Sequence, residues 1–212
     1  QIREAFSISD GKVRDYTNIV RDWLGTNPRT GEDHLPYADK APAAKVTGVN
    51  VYQVDDGLLV DLDLFKRLCK RGRARGGAEG LADLCTALEL VGEAQPFSQL
   101  REEGWEWLAT LPNRLDLMVP GWIADVALIV VTPAAGDLVK ARSAAYVANH
   151  ADPDGESTRL CLAAVMKAEG DELGADRILR EEICNRSDDG DAPMELSERT
   201  KTIIRTHGWL AS

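Results

Sequence analysis

The feature that most constrains the fold is a phrase that occurs twice, Gly136-Asp137-x-x-x-Ala141 and Gly170-Asp171-x-x-x-Ala175. The two copies lie 34 residues apart. Glycine adopts the positive φ that a tight turn between helices requires. Aspartate can cap the helix that follows, and alanine lets two helices approach closely. The repetition therefore predicts a stack of antiparallel helix pairs, which is a scaffold for binding other macromolecules.

The first copy continues in a pattern known from helical repeats. Ala145, Ala148 and Pro153 follow Ala141 at steps of 4, 7 and 12 residues. These positions and the period resemble the tetratricopeptide-repeat consensus. The resemblance implies that Ala141 and Ala148 face a neighbouring helix.

Two further units match the repeat pattern less completely. The unit that begins at Ala175 is degenerate beyond its Gly-Asp phrase. Residues 68–90 form another unit, which lacks that phrase but matches at Gly80, Leu84, Ala87 and Leu88. Three units are about the minimum for a stable stack, with the last helix as a cap.

Hydrophobic periodicity, together with the Gly and Pro residues that interrupt it, predicts a mainly α protein with a small N-terminal α/β remnant. Strands are expected at 34–37 and 49–54. Helices are expected at 11–24, 61–75, 79–91, 103–111, 122–133, 137–149, 156–168, 172–186 and 195–207.

Composition excludes several classes of protein. The chain has 212 residues, 44% of them hydrophobic, and no uninterrupted apolar run approaches the ~18 residues of a membrane span. We therefore expect no membrane contact and a cytoplasmic location. Because the chain begins with Gln1, we expect a processed chain or a piece of a longer one.

The cysteines and histidines do not predict a metal site. Cys69, Cys85, Cys161 and Cys184 form no C-x-x-C pair, and the three histidines are scattered. We expect buried thiols in a reducing compartment, with no disulfide, metal or cofactor. No phosphate-binding loop, nucleophile elbow or His–carboxylate pair at useful spacing is present, so an enzyme is not expected.

Charge is uneven along the chain. The net charge is −10, yet residues 61–76 carry a net charge of +4. This basic patch is either a phosphate or partner contact or a solvated helix face whose basic end suits the helix dipole. Its members are Lys66, Arg67, Lys70, Arg71, Arg73 and Arg75.

The order of parts resembles a bacterial regulator. The pattern Val13-x-x-Tyr16-x-x-Ile19-Val20-Arg21-x-x-Leu24-Gly25 resembles the recognition helix of the winged-helix domain in actinobacterial regulators of the antibiotic-regulatory type. Residues 52–54 resemble its wing. Residues 58–65 resemble the junction into the bacterial transcriptional activator domain, a tetratricopeptide-like helical domain, and residues 58–212 resemble that domain along their length. The resemblance implies a partial winged-helix segment at 1–57 and an activator domain at 58–212.

The resemblance implies a transcription-regulator-like protein that associates with a protein partner or with itself. Its DNA-binding segment is weak or vestigial, because Asp15 and Asp22 would repel phosphates. The apolar stripe of the first helix is expected to be buried, which leaves four candidate DNA-contacting residues exposed: Lys12, Arg14, Asn18 and Arg21. The alternative is a protein-interaction scaffold of a larger actinobacterial protein with no DNA role.

Overall fold

Helices account for most of the chain. A computed structural model describes residues 4, 7–93, 95–98, 114–132, 137–185, 195–206 and 209. The helices are α1 Asp10–Leu24, α2 Pro42–Thr47, α3 Asp61–Arg75, α4 Gly77–Val91, α5 Leu115–Val131, α6 Leu138–Ala151, α7 Glu156–Glu169, α8 Glu172–Arg177 and α9 Glu198–Thr206. The mainly α fold class is confirmed.

The chain divides into two compact units. The first comprises residues 1–64 and 101–109, and the second comprises residues 65–100 and 110–212. The helix expected at 103–111 and the turn residue Gly136 lie outside the described residues.

The first unit is built around α1. The Ser9 hydroxyl accepts a hydrogen bond from the Lys12 N–H at the start of this helix, and Gly25 ends it with a φ of 66°. The chain then reverses through a turn closed by a single antiparallel bridge between Thr26 and Asp33. This turn brings residues 34–38 back toward residues 51–55.

The prediction of two strands is wrong, because neither 34–37 nor 49–54 forms a strand. The two segments do run alongside each other. The Asp55 N–H donates to the His34 carbonyl at 2.7 Å, and the Val51 N–H donates to the Ala38 carbonyl at 3.1 Å. Pro36 lies midway and has no N–H to donate, so a continuous ladder cannot form there. The N-terminal unit is therefore helix and irregular chain where it is described.

The second unit begins inside α3, at Phe65, and this helix pairs with α4. Gly76 and Gly77 reverse the chain between them with φ values of 63° and 54°, at the predicted break. The two helices approach closely where they cross, since a Cβ on Gly72 would lie 2.7 Å from the Gly80 carbonyl oxygen. Beside this crossing the Arg71 guanidinium donates two hydrogen bonds to Asp83, of 2.8 and 2.6 Å.

Asp83 should contribute more stability near neutral pH than in acid. The hydrogen bond from Arg71 holds the pKa of this carboxyl below its ordinary value of 3.8, with a smaller contribution from Arg75. A carboxyl whose pKa is lowered by folding stabilises the fold above its unfolded pKa and loses that contribution as pH falls through the folded pKa. We therefore expect Asp83→Asn to be less stable than wild type above about pH 4, with a difference that shrinks in stronger acid.

Urea denaturation of both proteins between about pH 6 and about pH 2.5 measures this difference. Asp56→Asn, at an exposed loop position, is the control. A destabilisation by Asp83→Asn that is constant across this range would contradict the prediction.

Helix α5 lies at the centre of the second unit and packs against α4, α6 and α7. It begins at Leu115, seven residues before the predicted start, and runs through Pro120. The predicted boundary is wrong because burial outweighs the hydrogen bond that Pro120 removes. Eight of its 17 residues are buried, including Val119, Ile123 and Ala127.

Helices α6 to α8 carry the repeated phrase. Asp137 caps α6 by accepting from the Lys140 N–H, and Asp171 caps α8 by accepting from the Gly174 N–H. Gly170 turns the chain between α7 and α8 with a φ of 88°.

The alanines of the two Gly-Asp copies are buried: Ala141, Ala145, Ala148 and Ala175. The single helix expected at 172–186 is instead α8 followed by a π-helix, Ile178–Cys184.

Helix α9 is held by a polar junction on Asp125 of α5. This carboxylate accepts from the Ser157 hydroxyl of α7 and from the Arg199 guanidinium of α9, both at 2.6 Å. Ile204 and Trp209 bury apolar surface nearer the end of the chain.

Candidate functional site

The candidate DNA-contacting face of α1 is altered by the position of Arg21. Its side chain is only 6% exposed. Its Nε donates to the Leu35 carbonyl at 2.7 Å, its Nη1 donates to Asn18 Oδ1 at 2.7 Å, and its guanidinium stacks on the Tyr37 ring at 3.8 Å. The expectation that Arg21 lies on an exposed face is therefore wrong, and Asn18 is engaged with it. Lys12 and Arg14 are exposed.

The apolar side of α1 is exposed rather than buried. Trp23 is 82% exposed and Ile19 is 63% exposed, and Tyr16 and Val20 are each about half exposed. These four residues are called the α1 stripe below. The expectation that this stripe packs inward is wrong because Arg21 and its partners occupy the inner side of the helix. Hydrophobic periodicity identifies a face, but it does not say what covers that face.

The basic patch separates into engaged and exposed cations. Arg71 and Arg75 both pair with the buried carboxylate of Asp83. The Lys66 ammonium lies 5.2 Å above the Trp122 ring. The remaining three cations are exposed and form no ion pair with another residue that the structure describes. They are called the α3 basic face: Arg67, Lys70 and Arg73.

A groove runs beside Ile129 of α5. One depression of about 470 Å³ lies between this residue and the ends of α3 and α4 that meet at Gly76, with Arg73 in its wall. A second, of about 750 Å³, lies between Ile129 and α9, with Thr202 and Ile203 in its wall. Ile129 lines both depressions, and together they form the Ile129 groove. Its surface is mostly apolar.

A smaller pocket of about 260 Å³ lies between α4 and α6. Cys85 and Lys140 are in its wall, and the Lys140 ammonium pairs with Asp137 at 2.7 Å. Burial raises the pKa of the Cys85 thiol, which outweighs the opposite effect of Lys140. The thiol is thus protonated near neutral pH and is a poor nucleophile.

A His–carboxylate pair is present in the first unit, where the sequence predicted none. The His34 Nδ1 lies 3.2 Å from Asp55 Oδ2, without the angle of a hydrogen bond. The Asn27 amide donates to the same oxygen at 2.6 Å and is the main cause of the lowered pKa of Asp55. His34 and Asn27 are buried, so the cluster anchors the turn. His34 and Asp55 lie 21 positions apart in the chain, a separation that follows no local spacing rule.

The four cysteines are free thiols. Burial raises the pKa of Cys161 to about 12. Among the residues that the structure describes, no three His, Cys, Asp or Glu side chains are arranged to hold a metal ion. In the same part of the chain, no helix combines the length and the apolar character that crossing a bilayer requires.

The α3 basic face and the Ile129 groove meet at Arg73, and this junction is the candidate functional site. Its geometry offers a cation at the edge of an apolar depression. A scan against protein-family models and searches of curated proteins and of solved structures found no match to this chain.

Proposed function

We propose that the chain is a protein-interaction module of the tetratricopeptide-like type, and that the Ile129 groove binds an apolar segment of a protein partner that also carries acidic residues. The phrase repeated after 34 residues and the successive helix pairs α3/α4, α5/α6 and α7/α8 support this architecture. The resemblance of residues 58–212 to the bacterial transcriptional activator domain supports it further. The free, largely buried thiols favour a reducing, cytoplasmic location.

The observation that carries the proposal is the position of Arg73. Its neighbours Arg71 and Arg75 are both paired with Asp83, whereas Arg73 lies in the wall of the apolar groove. An apolar surface contributes affinity through burial, and a cation at its edge selects a partner of opposite charge. Arg67 and Lys70 extend the same positive field along α3.

The overall charge also favours a protein partner over nucleic acid. With a net charge of −10 the chain repels polyanions except close to α3. A short acidic and apolar segment fits within this local field, whereas a duplex would extend beyond it.

The transcription-regulator role remains a second proposal that rests on the resemblance. Arg21 and Asn18 are engaged within the first unit, so Lys12 and Arg14 are the α1 cations left for DNA. We expect binding to random duplex weaker than about micromolar at physiological salt. Fluorescence anisotropy of labelled duplex tests this, with Arg14→Ala as the variant. Nanomolar binding that Arg14→Ala abolishes would restore the DNA-reading role of α1.

The interaction proposal is tested by selecting peptides from a random display library on the wild-type chain. We expect the selected peptides to combine apolar and acidic residues. Ile129→Asp and Arg73→Glu should each weaken the binding of a selected peptide by at least ~10-fold in anisotropy titrations. The first substitution disrupts the apolar contact and the second reverses the charge at its edge. Affinity should also fall with added salt in wild type and less so in Arg73→Glu.

Val139→Asp is the matched control, since Val139 is an exposed apolar residue of α6 outside the groove. It should bind selected peptides like wild type. Failure to select any peptide, or equal weakening by Val139→Asp, would overturn the proposal.

A further inference from the structure

We propose that the α1 stripe is a self-association surface, on which α1 of a second copy of this chain packs antiparallel. The occupant is the same helix, Asp10–Leu24, related by a twofold axis near its middle. This inference does not depend on the Ile129 groove.

The first observation is the size and continuity of the exposed surface. Tyr16, Ile19, Val20 and Trp23 follow one another at helical steps of three and four residues, so their side chains share one side of α1. Trp23 is 82% exposed. Scattered exposed apolar residues need no explanation, but a contiguous patch with two aromatic residues indicates an interaction site. Tryptophan and tyrosine are also the residue types most enriched in the energetic centres of interfaces.

The second observation is the charge at the two ends of the stripe. Lys12 lies in line with Tyr16, Ile19 and Trp23 and is exposed at the N-terminal end. Asp22 is exposed beside Trp23 at the C-terminal end. An antiparallel arrangement brings Lys12 of each copy against Asp22 and the Trp23 ring of the other, which forms two equivalent ion pairs with cation–π contacts. A parallel arrangement would place like charges together.

The same antiparallel arrangement places apolar side chains of the two copies opposite each other at the centre of the contact. With the twofold axis between residues 17 and 18, Tyr16 of one copy opposes Ile19 of the other, twice. The helix dipoles also run in opposite directions, which is favourable. Because one surface supplies both halves of the contact, closure stops at two copies.

The area indicates a weak dimer. Two of the four side chains are aromatic, and an aromatic side chain buries about 150–250 Å². Because all four are already partly covered, the stripe offers on the order of 500 Å² per copy. Two copies then reach about 1,000 Å², which is the lower limit for a specific interface and typical of transient ones. The acidic flank formed by Asp15 and Asp22 disfavours an anionic membrane or nucleic acid as the occupant.

Sedimentation equilibrium of the 212-residue chain over a range of concentrations tests the proposal. We expect a monomer–dimer equilibrium in wild type, and Trp23→Asp should raise the dissociation constant by at least ~30-fold. Leu173→Asp is the matched control, because Leu173 is an equally exposed apolar residue (85%) on α8, and it should associate like wild type.

A charge-exchange series tests the antiparallel geometry. Lys12→Asp and Asp22→Lys should each weaken association, and the double variant should recover most of it, because the pair is restored with its signs exchanged. Both substitutions lie at exposed positions, and thermal melts of the three variants verify that they fold.

Three results would overturn the proposal: a wild-type chain that stays monomeric at all concentrations, association that Trp23→Asp leaves unchanged, or a double variant no better than the single ones. Ile129→Asp should leave self-association unchanged while it removes peptide binding. A failure of the peptide-binding proposal can therefore be distinguished from a failure of the self-association proposal.

Discussion

Replacing Ala141 by leucine should lower the free energy of unfolding by about 1–3 kcal/mol, because it inserts three carbon atoms into a packed helix interface. Ala141 is 1% exposed, and the helix that carries it packs against α4, α5 and α7. For a chain of this length, that loss corresponds to a fall of a few degrees in the melting midpoint, roughly 2–4 °C per kcal/mol. Urea denaturation together with thermal melts measures the effect.

The control for Ala141→Leu is Val139→Leu, two residues earlier on α6. Val139 is exposed, so a slightly larger side chain meets solvent and should change stability by less than about 0.5 kcal/mol. An unchanged midpoint for Ala141→Leu would show that this side of α6 is not packed as described.

Gly80→Ala should destabilise the chain although alanine favours helix over glycine by about 1 kcal/mol. A Cβ at Gly80 would overlap the carbonyl oxygen of Gly72, and that oxygen belongs to the backbone of α3, which can move only if the helix moves. We expect the cost of separating the two helices, about 1–3 kcal/mol, to exceed the gain in propensity. Chemical denaturation gives the sign directly.

Gly121→Ala is the matched control, since it makes the same chemical change inside α5. A Cβ there would meet nothing within 4 Å. Only the propensity term remains, so Gly121→Ala should stabilise by up to ~1 kcal/mol. If both variants shift stability in the same direction, the close crossing of α3 and α4 is not what determines the choice of glycine at position 80.

The helices of the second unit could be predicted because their signals are local. Gly76 and Gly77 interrupt two amphipathic patterns, and Asp137 and Asp171 precede the helices that they cap. The start of α5 could not be predicted, since the local signal of Pro120 opposes helix and the burial that overrides it comes from distant residues.

The candidate site was predicted only in part for the same reason. The basic cluster on α3 was visible as a run of charges, but the partner that neutralises Arg71 is Asp83, on the next helix. The Ile129 groove has no linear signal, because Arg73, Ile129 and Ile203 are far apart in the chain.

Helix α1 shows the limit of periodicity. Periodicity correctly places its apolar residues on one side of the helix. It also predicts that this side is buried, whereas the buried residue is Arg21. Arginine can be buried when its donors are satisfied and its plane is stacked. Neither the Leu35 carbonyl nor the Tyr37 ring can be identified as its partner from spacing alone.

The junction at Asp125 has a consequence for the order in which the second unit assembles. Helices α4 to α8 pack mainly on neighbours in the chain, so their contacts close short loops at little entropic cost. Arg199 instead reaches back 74 residues to Asp125, and the same carboxylate binds Ser157 of α7. The docking position for α9 exists only after α5 and α7 have come together. We therefore expect helix α9 to fold onto the unit last, and in unfolding to be the part whose release leaves the remaining helix pairs intact.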